Sequence, residues 1–499
     1  MIEITSWNQN AIRFIDPPQF TWQPVKGAAA YEIQFAAADN HAVKNVTKES
    51  TFDFSTYWNQ FPLGEVYWVV IAKDTNGKVF EQSKMQRFTK VPDFDGEIEV
   101  PENWEESALR NTTWLLAFSN PEEELPLLMR SSAVTLYEST IDYRTEGSQH
   151  EIVYPALHYP SYIFLFLEVS RRLPDTVLGA RAHQLALFIG DWLISHTLNS
   201  DWKCSRFPIS AWITGDISEE HIPERGCTTV FRAARVGEAM LSLYHSSGDA
   251  RYFDYAEHLA DTLVGMQNED GSWPYRVNPE TGDVVEEYTS SGILIAKFLD
   301  GMQQVGHRDS YQSAINKAIR WTLDHPVRTN RWQGMYEDVK EQPPYSNLEN
   351  WDACEMIRFL CKYADEIPSA IDIAESINRF VEDQFVIFGP HVNHLACQTV
   401  YPTVMEQYIF YFPMEVHTGN WLMSLISLHQ ATKKEIYKIK SLRAANAITR
   451  MQHAEGRYST SGVDWRFGTH LDPSFADWYG CNAIAALSLL KCQDYFKTL

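Results

Sequence analysis

The sequence predicts an α+β multidomain protein: a small N-terminal β-sandwich followed by an (α/α)6 toroid. Three observations carry this. The hydrophobic period is two up to about residue 90 and 3.6 thereafter. The helical runs come in pairs at intervals of roughly 60–70 residues. Within a pair the joins are short, and between pairs they are long and rich in Trp, Tyr, acids and Arg.

Residues 1–92 hold the strands. "FTWQPVKGAAAYEIQFAA" alternates, and "EVYWVVIAKDTNGKVFEQSKMQRF" reads as a hairpin with an Asn-Gly turn. Residues 93–104 form a Pro- and acid-rich linker. Residues 105–499 form the helical part, with no strands expected inside it. Its runs begin with "PSYIFLFLEVSRRL" and "GARAHQLALFIGDWLISHTL" and end with "ADWYGCNAIAALSLLKC". "MQNEDGSWPYR" and "MQHAEGRYST" mark one corner written twice, where an outer helix ends and a long crossover begins. Gly271 and Gly456 suit the turn after a helix terminus. Short joins alternating with long ones place every long crossover at one end. About six pairs closed in a ring then make a blunt floor and a loop-walled cup.

Composition narrows the function. The net charge of −23 argues against nucleic acid and anionic membranes. The first residues carry no basic or long apolar stretch, so a signal peptide is not expected. The seven Cys are scattered without a C-x-x-C, so neither a disulfide frame nor a zinc site is indicated. These features point to a reduced cytoplasm, with no metal and no cofactor. A homo-oligomer stays open. The 16 Trp and 24 Tyr exceed what a core needs and suit stacking on sugar rings.

Four clusters offer chemistry. "YEDVKEQPPYSNLENWDACE" holds Tyr336, Glu349, Asn350, Trp351 and Asp352. Asp352 lies just inside a helix, a firmer platform for an acid than a loop tip. The competing reading is that Asn347 or Asn350 caps that helix and that Glu349 and Asp352 complement its dipole. "CQTVYPTVMEQYIFYFPMEVHTGNW" holds Glu406, Tyr408, Glu415 and His417, either catalytic or a packed aromatic loop. "GVDWRFGTHLDPSFADWYGCN" holds Trp465, Arg466, Asp477, Trp478 and Tyr479. Arg225 in "EEHIPERGCTTV", with Arg276 and Arg466, could fork onto a substrate carboxylate. Trp273 and Tyr288 are further candidate sugar contacts. The acids Asp352, Glu406, Glu349 and Asp477, with His417, are the catalytic candidates, because glycoside hydrolysis needs a protonated and an ionised carboxyl across one bond. "HVNHLACQTVY", with His391, Asn393, His394, Gln398 and Tyr401, offers instead the base and neutraliser that elimination needs.

Two resemblances follow. Trp22, Pro24, Val25, Ala28, Tyr31, Glu32 and Ile33, followed by "YWVVIAKD", resemble a fibronectin type III module, usually a spacer or packing partner. The paired helices with Trp/Tyr-rich crossovers resemble the (α/α)6 enzymes that act on carbohydrates. With the small β-sandwich in front, they resemble heparinase II/III-like lyases and uronic-acid-cleaving hydrolases. The resemblance implies an exo-acting, β-glucuronidase-like glycoside hydrolase on an oligosaccharide. A β-eliminating lyase, a non-catalytic glycan-binding protein and an aldose epimerase using His394 and His417 are the alternatives. "QNEDGSW" imitates a terpenoid-cyclase signature, but no D-x-D-D or D-D-x-x-D accompanies it.

Overall fold

The computed structural model describes residues 1–5, 13–117, 151–210, 212–214, 226–306, 308–332, 348–390, 400–406, 413–459 and 479–499. The N-terminal region is a small sheet region. Strands β1 (Arg13–Phe14), β3 (Ala30–Ala37), β4 (Ala42–Thr47), β6 (Gly64–Lys73), β7 (Val79–Gln82) and β8 (Gln86–Lys90) form one sheet in the order β1-β8-β6-β3-β4, with β7 also on β6. β2 (Gln19–Thr21) pairs separately with β5 (Thr51–Asp53). Burial alternates along β3 and β6, as their period-two sequences require. Phe20 from the small pair lies 4.1 Å from the Trp68 ring of the large sheet, so the two share one aromatic core. A single helical turn, α1 (Ser55–Trp58), follows β5 and adds Trp58 to that core.

Twelve longer helices follow among the described residues. The odd-numbered ones are α3 (Pro155–Arg172), α5 (Val230–Ser247), α7 (Gly292–Gly306), α9 (Trp351–Lys362), α11 (Glu415–Thr432) and α13 (Tyr479–Lys497). Each packs on the next odd helix, and α13 returns to α3, so they close an inner ring of six. The even-numbered ones are α2 (Trp104–Ala117), α4 (Val177–Ser195), α6 (Ala250–Gly265), α8 (Asp309–Thr322), α10 (Ala370–Phe385) and α12 (Glu435–Arg450). They form the outer layer, each against the inner helix that precedes it; α2 has no predecessor and pairs with α13. The inner helices are buried nearly all round. Phe231, Val236, Met240 and Leu243 of α5 are fully enclosed, each worth about 1.5–3 kcal/mol of apolar burial. No described helix is long and apolar enough to cross a membrane.

The joins explain the ring. α5 ends at Gly248, and Asp249 then caps α6 by accepting the Arg251 N–H, so two residues turn the chain back. The opposite corners are long. At the one after α6, the Gln267 side chain donates to Gly271 O within the turn and to Ala314 O of the next outer helix, α8, at 3.0 and 2.9 Å. At the corner after α12, Gln452 donates to Gly456 O and to Ser107 O of α2, both at 2.8 Å. Gly271 and Gly456 have φ of +99° and +109°, and a Cβ would meet Lys317 O or Arg110 O at 2.4 or 2.6 Å. The doubled motif is therefore a clamp between neighbouring outer helices. Its second copy bolts the last outer helix to the first.

Two expectations need correction. The crossovers do contain strands: β9 (Glu151–Val153) with β10 (Trp212–Thr214); β11 (Thr228–Thr229), β12 (Pro274–Val277) and β13 (Val284–Thr289); β14 (Val386–Ile387), β15 (Thr403–Met405) and β16 (Pro413–Met414). At two to six residues they are too short for alternation to be readable. α2 adds a helix absent from the sequence reading, because Asn111, Thr112 and Thr113 break its apolar stripe.

The two regions are joined closely. Ile15 N–H and Asp16 N–H both donate to Asp383 Oδ1 at the end of α10, at 2.8 and 3.0 Å. Gln384 exchanges two hydrogen bonds with the Arg13 backbone, and the Arg13 guanidinium reaches Met405 Sδ at 2.9 Å. The segment after β8 runs along α12, where Asn446 Oδ1 accepts Glu102 N–H and the Trp104 indole N–H, both at 2.9 Å.

Candidate active site

The first turns of the inner helices meet at the ring end reached by the long crossovers. Asn350 precedes α9, and its amide N–H2 donates to Met405 O at 2.6 Å and to Glu406 O at 3.0 Å. Its oxygen therefore faces His417 Nδ1, 3.0 Å away in the first turn of α11. That fixes the tautomer: Nδ1 carries the proton and Nε2 keeps its lone pair. Burial lowers the His417 pKa to about 3, so the ring is neutral at physiological pH.

Asp352 occupies the first turn of α9. The Ser291 hydroxyl, just before α7, donates to its Oδ1. Its Oδ2 is enclosed without a hydrogen-bond partner among the described residues. Burial raises its pKa to about 7, against the pull of Ser291 and with the help of the nearby Glu355 charge. Glu406 follows β15, half-buried, and burial raises it to about 7 also. Glu355, one turn further along α9, goes the other way. Burial opposes its charge, but Arg358, Lys297 and Arg235 outweigh it and bring it to about 2. Glu415, fully buried at the start of α11, accepts from Asn482 of α13 at 3.2 Å.

These hydrogen bonds tie Asn350, the backbone at Glu406 and His417 together from widely separated stretches, and Asp352 lies two residues beyond Asn350 on α9, bonded to Ser291. Two carboxyls held weakly acidic by burial can each donate or accept a proton near neutral pH. The fold has solved counterparts. The chain matches no protein-family model and no curated protein. A family 76 glycoside hydrolase from a bovine Bacteroides thetaiotaomicron strain shares 11% identity over 98% of this chain and 97% of that one, with a TM-score of 0.52. An unsaturated glucuronyl hydrolase specific for heparin shares 12% over 80% of this chain and 98% of that one, at 0.51. Cellobiose 2-epimerase from Spirochaeta thermophila shares 10% over 79% and 97%, at 0.52. The likeness is one of fold.

Other expected residues have different places. Glu349 Oε2 accepts Trp351 N–H at 2.6 Å, the capping role set against catalysis above. Asn350 makes no side-chain cap and is spent on β15 and His417. Trp351 is buried, with its edge to His417 at 5.6 Å. Trp273, expected as a sugar platform, is fully buried and donates its indole N–H to Leu263 O at 2.7 Å; it fills the corner after α6. Arg276 is 1% exposed, paired with Glu286 at 3.2 Å and bonded to Thr229 Oγ1 at 3.4 Å, so its fork is committed within the β11–β13 sheet. Tyr288 lies on β13, 6.1 Å from Tyr275. Tyr479 is fully buried against Trp114. Asp477, Arg225, Arg466, Tyr336, Tyr408, Trp465 and Trp478 lie outside the described residues, as do His391, Asn393, His394 and Gln398.

The sequence reading passed over Ser291, Arg235 and Glu355. One signal could have found two of them. Arg232 and Arg235 on α5, like Asp352 and Glu355 on α9, are charged residues three apart, hence on one face of each inner helix.

Proposed function

We propose that the protein is an exo-acting glycoside hydrolase on an oligosaccharide that ends in a uronic acid. Asp352 carries the reading: a carboxyl on a rigid helix, bonded on one oxygen by Ser291, bare on the other, and protonated up to about pH 7. It donates its proton to the glycosidic oxygen as the C–O bond breaks. Glu406, ionised, directs water or itself to the anomeric carbon, and water restores both groups. The likeness to glycoside hydrolases and sugar epimerases in fold supports a carbohydrate substrate. In this reading the N-terminal region is a fibronectin type III-like β-sandwich serving as a packing partner, and the enzyme finishes short oligosaccharides in the cytoplasm.

A second reading, β-elimination, draws on His417, whose Nε2 keeps its lone pair, against the burial that lowers its pKa to about 3 and so weakens it as a base. One assay separates them. Glycans with and without uronic acid are incubated with the protein while reducing ends and absorbance near 230 nm are followed. Reducing ends without absorbance support hydrolysis; absorbance sinks it in favour of elimination. No turnover of any glycan sinks both.

A further inference from the structure

Arg235 sits in the second turn of α5, one of the inner helices, and is 6% exposed. Its Nε is enclosed without a hydrogen-bond partner, and no ion pair or hydrogen bond holds its guanidinium among the described residues. What surrounds it is aromatic: Phe164 of α3 at 5.8 Å and Trp351 of α9 at 6.0 Å. These contacts locate the side chain. α3 is the ring neighbour of α5, but α9 is two places away, beyond α7. Reaching both requires the guanidinium to extend into the interior of the ring.

A largely buried cation with an unpartnered Nε is costly, because that N–H has left water without a substitute. Ring faces offset only part of that cost. The nearby anion is already shared: Glu355 pairs with Arg358 and with Lys297, at 3.4 Å from the latter, and feels the Arg235 charge without a salt bridge to it. Lys297 is 42% exposed although it belongs to an inner helix, so this level of the interior is open to water. Asp352 stands about one helical turn closer to the mouth and adjoins Trp351 in sequence.

We propose that Arg235 is the carboxylate-binding residue of the site and takes the uronate group of the terminal sugar. The inference rests on the hydrolase reading for its substrate and deepens it. The guanidinium forks onto the two carboxylate oxygens inside its aromatic collar, which satisfies both ions. The terminal sugar then enters carboxylate first, with its glycosidic bond toward the mouth beside Asp352. Such depth admits a chain end and excludes mid-chain binding, which is why the action is exo.

The test is calorimetric binding of methyl β-glucuronide and methyl β-glucoside to the full chain, as wild type, Arg235→Met and Arg235→Lys. Wild type is expected to prefer the glucuronide. Arg235→Met should lose at least about tenfold in glucuronide affinity and stay within about twofold on the glucoside. Arg235→Lys, which keeps the charge and loses the fork, should fall between them. If Arg235→Met does not fold, Arg235→Lys alone decides: glucuronide affinity equal to wild type overturns the proposal. Equal wild-type affinity for both probes, no binding of either, or an equal loss of both in Arg235→Met also overturns it. Turnover of neutral glycans without any uronate preference would remove this inference and leave a hydrolase. Arg235-dependent glucuronide binding without turnover of any glycan would do the reverse.

Discussion

Asp352 and Glu355 lie three residues apart on one helix, yet one is raised to about 7 and the other lowered to about 2. The difference is company: Glu355 has three cations and Asp352 a single hydroxyl. Asp352→Asn is expected to cut turnover by about 10²–10⁴-fold, the usual scale for a lost general acid, with secondary structure unchanged by circular dichroism. Wild-type activity should peak sharply near pH 7, since one carboxyl must be protonated and the other ionised while both titrate there. Stability carries the opposite mark. Folded values raised above the ordinary 3.8 and 4.5 mean the folded state binds the extra protons, so stability falls as pH rises from about 4 through about 7. Asp352→Asn and Glu406→Gln should match wild type in urea denaturation at pH 4 and exceed it at pH 8, by about 1–3 kcal/mol each. A variant no more stable than wild type at pH 8 would mean the carboxyl is not held protonated. Asp352 and His417 could be named as candidates from sequence because each falls in the first turn of a helix, and Glu406 because it lies in a crossover dense in polar and aromatic residues. For Arg235 the spacing from Arg232 marks a polar face, but its place depends on reaching α9 across the ring, which no local pattern encodes.

Among the elements, the corner clamps were the most legible, since Met-Gln, Gly and an aromatic recur with fixed spacing. Their purpose was not, because Gln452 spends one hydrogen bond on Ser107, 345 residues away. Gly456→Ala tests the clamp. It must strain a φ of +109° and push against Arg110 O, so a loss of about 3 kcal/mol or more is expected in chemical denaturation. Gly248→Ala at the end of α5 is the control. Its φ is +73°, but nothing lies within 4 Å of the added Cβ, so about 1 kcal/mol is expected. Equal losses would mean that the close contact to the next outer helix is unimportant. The crossover strands and α2 escaped sequence reading for a shared reason. β9 and α2 are stabilised by neighbours distant in the chain, β10 and α13, and β11 by β12, rather than by their own periodicity.

For the whole molecule, the helical ring and the sheet region follow from the change of period, but their joint does not. Asp383 and Gln384 sit at the end of an amphipathic helix and read as ordinary polar residues, whereas both are buried on the N-terminal strand. Asp383→Ala combined with Gln384→Ala should split one thermal transition into two, the smaller belonging to residues 1–90, in calorimetry. A single unshifted transition would mean that the two regions unfold together for other reasons. The pairing of α2 with α13 reaches further. Helical hairpins can assemble one by one as the chain leaves the ribosome, but α2 must wait for a partner made some 370 residues later. Until then the growing protein is an open horseshoe with two raw apolar edges, the natural place for a chaperone to hold and for a neighbouring nascent copy to intrude.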